Sequence, residues 1–183
     1  MKLFNNKNGY GFMSILLHWL MALLVIGLYL LGIYMVDLDY YDAMYQTAPM
    51  IHKLVGVLTL FLLIIRLPLK YVQCKPDVLG SYTQWEVLLA SIVHNLFYLL
   101  LVVMTISGYL ISTLKGKGID ILGLFELPSL LILNEKAAEI VGKTHELSSD
   151  LFILLLFFHI IATIKHHVFD KDKAIIRILK PVE

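Results

Sequence analysis

Four long apolar runs limit this chain more than any other feature. They cover residues 14–36, 50–69, 86–114 and 146–169, and each is long enough to cross the hydrocarbon core of a bilayer as a helix. Lipid offers no partner to a backbone N–H or C=O, so a run of this kind must satisfy its own hydrogen bonds, and helices do so. The chain is 59% hydrophobic and 16% charged, against about 45–50% and 25% in soluble domains. An all-α integral membrane four-helix bundle follows, as one domain over residues 1–183 with no soluble module and no internal repeat. Pro68 marks where the second helix should stop. The third run exceeds what a perpendicular helix needs, so it tilts or projects. The first run is too long for a cleavable signal and ends in Met35-Val36-Asp37 with no small-residue cleavage site.

Basic residues set the expected orientation. Four spans put both termini on one side. That side holds Lys2, Lys7, Arg66, Lys70, Lys75, Lys165, Lys171, Lys173, Arg177 and Lys180; the other holds Lys53, Lys115, Lys117, Lys136 and Lys143. Ten against five predicts cytoplasmic termini. The outer connection over residues 115–144 contains Ile121-Leu122-Gly123-Leu124-Phe125 and Leu130-Leu131-Ile132-Leu133. These are too short to span and read as interfacial helices on the outer end of the bundle, with a fifth and sixth crossing as the alternative. The net charge of +1 gives no argument for nucleic-acid binding.

His145, at the start of the fourth helix, and His159 within it stand fourteen residues apart, close to four helical turns, so both rings share a face about 21 Å apart along the axis. His18 and His52 open two other runs. Depth pairs His18 with His159 near the inner face, and His52 with His145 near the outer one. Ionisable groups inside a membrane are costly and read as functional. Two imidazoles on opposite faces of one iron fill both axial positions, a ligation suited to electron transfer rather than oxygen chemistry. Taken singly, each histidine reads more readily as interfacial or hydrogen-bonded between helices. Four at matched depths favour haem. Cys74 is the single cysteine and no Cys-x-x-Cys-His motif occurs, so such haem would be b-type.

Neighbouring residues leave alternatives open. Gly27, Gly32, Gly56 and Gly108 lie inside spans, where they permit a flat macrocycle or ordinary close helix packing. Arg66 is fourteen residues past His52 and reaches the inner end, where it suits either a haem propionate or snorkelling to the lipid headgroups. His94 lies at a depth like that of His18 and competes with it as partner of His159. His166, two turns past His159, is a candidate quinone contact or part of a surface basic cluster. Asp150 either orients His145 or is solvated.

At these residues the chain resembles the bacterial cytochrome b561 family over nearly its whole length. The matching pieces are His18-Trp19, Ala48-Pro49-x-x-His52-Lys53-x-x-Gly56, Ser107-Gly108-Tyr109-Leu110-Ile111-Ser112, and Lys165-His166-His167-x-x-x-Asp170-Lys171-Asp172. The resemblance implies a multi-pass protein of the bacterial inner (cytoplasmic) membrane with two haem b groups, ligated by His18 with His159 and by His52 with His145. It also implies exchange of electrons with ubiquinone, with His166 at a quinone-contact position. Some members act as superoxide:quinone oxidoreductases, which makes superoxide a candidate for the otherwise unknown outer donor. The loop between the second and third spans carries Lys75 at a spacing unlike that of such members. Lys115-Gly116-Lys117-Gly118 could attract an anionic donor or form a flexible turn. Two rival readings are a quinone-linked cytochrome b anchor subunit for a periplasmic dehydrogenase or hydrogenase, and a haem-free carrier using histidines.

Overall fold

A computed structural model describes residues 2–79 and 82–182. Four helices are long and apolar enough to cross a membrane: α1 (Phe12–Val36), α2 (Thr47–Val72), α3 (Gln84–Thr113) and α4 (Glu135–Val168). A hairpin of β1 (Ile119–Ile121) and β2 (Phe125–Leu127) lies between α3 and α4, and a short α5 (Ala174–Leu179) follows α4. α1 packs on α2, α2 on α3 and α3 on α4. The interior is built from Leu17, Met21, Val25, Leu62, Leu63, Leu101 and Phe152. Outward-facing side chains are also large and apolar: Leu23 is 67% exposed and Ile64 61%. A soluble bundle would place polar residues there, so this surface is matched to lipid.

Both termini lie at one end of the bundle. Lys2 N donates to Val182 O and Val182 N to Tyr10 O, while Asp77 N, in the α2–α3 connection, donates to Lys7 O. Trp19 Nε1 donates to Ile178 O at 2.9 Å, which holds α5 against the start of α1. The hairpin marks the opposite end. Buried Thr59, Ser107 and Ser148 donate to carbonyls one turn back in their own helices, so small polar residues sit inside without an unmet donor.

Three details depart from the sequence reading. Pro68 lies inside α2, which continues to Val72. A proline frees one carbonyl a turn earlier and can be carried where helix end and membrane interface are near. α4 begins at Glu135, well before the apolar stretch, because Asn134 caps it by accepting from Ala137 N at 2.9 Å and its first turns are held by local pairs such as Lys143–Glu139. The expected interfacial helices are absent among the described residues. Residues 121–125 instead form the hairpin turn, with Leu122 at φ 55° and Gly123 at φ 74°. Two successive positive φ values are those of a tight hairpin turn, and a helix cannot pass through them. Residues 128–134 are irregular. Their placement is fixed partly by Tyr109, whose hydroxyl donates to Pro128 O at 2.5 Å.

Candidate functional site

At the hairpin end the four long helices surround a cavity of about 610 Å³. Its lining includes Tyr29 and Gly32 from α1, His52 and Gly56 from α2, Gly108 and Tyr109 from α3, and Gly142 and His145 from α4, with Ile119 of the hairpin covering it. His52 and His145 face each other there, ring centroids 6.3 Å apart. Two imidazoles bonded to one intervening metal, each at about 2 Å, stand about this far apart.

The chain prepares His145 for ligation. Its Nδ1 lies 2.9 Å from Met104 O, a partner that can only accept, so Nδ1 carries the proton and Nε2 keeps its lone pair. Ser107 Oγ lies 3.1 Å from the same nitrogen. Gly108 provides the room: a Cβ there would come within 3.0 Å of His145 Cε1. A Cβ at Gly32 would sit 3.5 Å from His52 Cε1, whereas Gly56 opens onto free space. Nδ1 of His52 is buried with no hydrogen-bond partner among the described residues. Facing imidazoles, an orphaned ring nitrogen and a roomy apolar cavity all fit a haem.

The termini end holds a second group of histidines. His159 from α4 meets His94 from α3, ring centroids 5.6 Å apart, and also Phe97 at 5.5 Å. His18 is not stacked on His159. It packs edge-on to Trp19, and its Nδ1 lies 3.2 Å from a guanidinium nitrogen of Arg66. A guanidinium can only donate, so this contact makes Nδ1 the acceptor and leaves the proton on Nε2. Ligation through Nε2 therefore requires Arg66 to release His18. Arg66 also donates to Leu17 O at 3.4 Å and lies against Tyr98, so its charge is held inside this end of the bundle rather than at the surface.

Asp150 does not orient His145; it accepts from Tyr29 OH at 3.1 Å and ties α1 to α4 at the cavity wall. Ser107 and the Met104 carbonyl, which do position His145, were not singled out from sequence in that role. Ser107-Gly108 had stood out only as a motif. His166 lies beyond the inner histidines at the end of α4, with Nδ1 2.6 Å from Asp170 Oδ2.

A bundle of apolar helices carrying facing histidines beside a glycine-lined, mostly apolar cavity defines a membrane protein suited to a redox prosthetic group. Residues 9–181 match the family model of prokaryotic cytochrome b561. The chain is 38% identical over 175 residues to cytochrome b561 homolog 2 of Escherichia coli K12, covering 96% of this chain and 93% of that protein. Cytochrome b561 homolog 1 of the same organism is 24% identical over 176 residues, with 94% and 97% covered. A probable superoxide oxidase, CybB, of Yersinia pestis is 26% identical over 172 residues, with 93% and 95% covered. The chain belongs to the prokaryotic cytochrome b561 family: it is a multi-pass bacterial membrane protein of electron transfer, and family membership implies haem b.

Proposed function

We propose that this protein is a di-haem b cytochrome of the bacterial inner membrane, passing electrons from a donor on the outer side to ubiquinone near the inner side. The observation that carries the reading is the facing pair His52 and His145 across the glycine-lined cavity. These two residues hold the outer haem. His18 and His159 hold the inner one, a pairing favoured by depth and by the family pattern, with both termini in the cytoplasm. When bound, haem supplies reversible one-electron chemistry.

The polypeptide's own contribution is positioning and burial. Met104 and Ser107 fix the ring orientation and proton position of His145. Gly108 and Gly32 let the ligand rings lie against neighbouring helices. Arg66, freed from His18, supplies a cation inside the bundle for a carboxylate such as a haem propionate. His166, beside the charged end of α4, meets the quinone.

Superoxide as the outer donor is supported by the likeness to the probable superoxide oxidase of Yersinia pestis. Purified protein mixed with superoxide and a short-chain ubiquinone tests the whole route. Stoichiometric quinol is expected, with haem bands reducing and reoxidising in step. Haem that superoxide cannot reduce would remove that donor, and reducible haem that never passes electrons to quinone would remove the acceptor.

His94 supports a second assignment of the inner ligand, because its ring already meets that of His159. Haem content of the His18→Ala and His94→Ala variants decides between them.

A further inference from the structure

Three basic side chains at the termini end surround one small cavity and serve neither haem position. Lys173 and Lys180 flank α5 and Arg177 lies within it, at intervals of four and three residues, which places all three on one side of the helix. They line a cavity of about 300 Å³ together with Asn8, Leu79 and Val182. Its walls are stretches of chain already tied to one another. The turn at Asn6–Gly9 closes through Asn6 N, which donates to Gly9 O at 3.1 Å, and Asp77 N donates to Lys7 O. Arg177 Nη1 donates to Asp77 O at 2.7 Å, so a main-chain carbonyl fixes the guanidinium at the cavity without neutralising it.

The charge of this cavity is uncompensated. None of the three cations has a carboxylate oxygen within 4.0 Å among the described residues, where the ion pairs belong to Lys143, Lys165 and His166. Like charges around one cavity repel, and an anion seated among them relieves that repulsion. The volume is at the lower end for a small-ligand site, which suits a phosphate-bearing headgroup. The lining offers no aromatic ring on which a nucleobase could stack.

Position identifies the source of the anion. Trp19 Nε1 donates to Ile178 O and holds α5 against the start of α1, at the level where a membrane span meets the headgroups. Beside the cations, α5 presents Ile176 at 44% and Leu179 at 55% exposure, and Phe169 just before it is 76% exposed. Large apolar side chains next to unpaired cations match the acyl chains and the phosphate of one molecule. We infer that Lys173, Arg177 and Lys180 form a binding site for the phosphate of an anionic phospholipid in the leaflet at the termini end. A lipid held there joins α5 to the N-terminal turn and to the α2–α3 connection, and so fastens both termini to the membrane surface.

The test titrates delipidated full-length protein in neutral detergent with phosphatidylglycerol or phosphatidylcholine and counts bound lipid by native mass spectrometry. Each Lys or Arg near an anionic lipid contributes about fivefold in affinity, so phosphatidylglycerol should occupy one saturable site at least about tenfold more tightly than phosphatidylcholine. On the same scale Lys173→Gln/Arg177→Gln/Lys180→Gln should lose about 10²-fold, and Lys173→Gln/Lys180→Gln, which keeps the Arg177–Asp77 bond, about 25-fold. Lys136→Gln/Lys143→Gln makes the same charge change as the double variant at the hairpin end of α4 and should bind phosphatidylglycerol as wild type does. Equal affinity for the two lipids, or wild-type affinity in the α5 variants, would overturn the site. An equal loss in Lys136→Gln/Lys143→Gln would reduce it to overall charge and overturn it too. Inorganic phosphate that displaces phosphatidylglycerol at matching concentration would make this a site for a soluble phosphate and overturn the lipid assignment. Should the triple variant fail to assemble, the double variant decides, and the wild-type comparison of the two lipids decides without either.

Discussion

His52 on α2 and His145 on α4 face one another with ring centroids 6.3 Å apart, and each is backed by a glycine on a neighbouring helix. Gly32 leaves room behind His52 and Gly108 behind His145. The two rings are thus held by helices that differ from those carrying their glycines, so the pair depends on the whole bundle. If the proposed di-haem reading holds, replacing either histidine with alanine removes the outer haem and leaves the inner one. Haem b per chain should fall by about half, measured against helical content unchanged in circular dichroism.

The glycines should respond according to what each faces. Gly108→Val places atoms where His145 sits, since even a Cβ comes within 3.0 Å of its ring. Overpacking of that kind costs about 1–3 kcal/mol, and here it also displaces a ligand. A Cβ at Gly56 meets nothing within 4 Å, and Gly56→Leu projects into the cavity, so it should lower haem content while leaving the haem-free helices as stable as before. Thermal unfolding with and without added haem separates the two effects. Equal haem content in Gly56→Leu and wild type would place the macrocycle elsewhere.

Arg66 and His18 are coupled by the 3.2 Å contact that puts the His18 proton on the wrong nitrogen for Nε2 ligation. On the proposed ligation, haem competes with Arg66 for His18. Removing the guanidinium in Arg66→Met frees His18 but also removes a cation for a propionate. The expected result is inner haem that still binds, more weakly and at a lower reduction potential, because a nearby positive charge favours the added electron. Spectroelectrochemical titration reads both. A potential unchanged by the substitution would place Arg66 away from the haem.

The end of α4 should be sensitive to acid. Asp170 is held below its ordinary range chiefly by Lys165, against the opposing effect of burial, with a lesser lowering by His166. Its folded-state value is depressed relative to the unfolded chain. The contact therefore contributes fully above the ordinary carboxylate range, about pH 4, and is lost as pH falls through the lowered value. Amides at residues 169–173 should be protected relative to their intrinsic exchange rates at neutral pH and lose that protection only under strong acid. Asp170→Asn should show fast exchange already at neutral pH.

Much of this architecture was legible because lipid enforces simple rules. Apolar length alone located the four crossings, and the fourteen-residue interval placed His145 and His159 on one face of α4. What escaped depends on interactions that hydropathy does not register. The start of α4 at Glu135 comes from the Asn134 cap, and the hairpin comes from positive φ at Leu122 and Gly123. Pro68 reads as a stop, yet α2 runs on past it to Val72. The nearness of buried Asp172 to His166 could not be read from spacing, because it follows a left-handed turn at Lys171. The nearness of His94 to His159 was visible in sequence only as a similar depth.

The account turns on four imidazoles holding two haems in one chain. The most direct measurement is haem b per polypeptide in the purified protein, taken from the pyridine haemochrome and from quantitative amino-acid analysis. The account predicts two haem b per chain with low-spin bands in the reduced-minus-oxidised spectrum. One haem per chain, or a spectrum without those bands in fully folded protein, would contradict it.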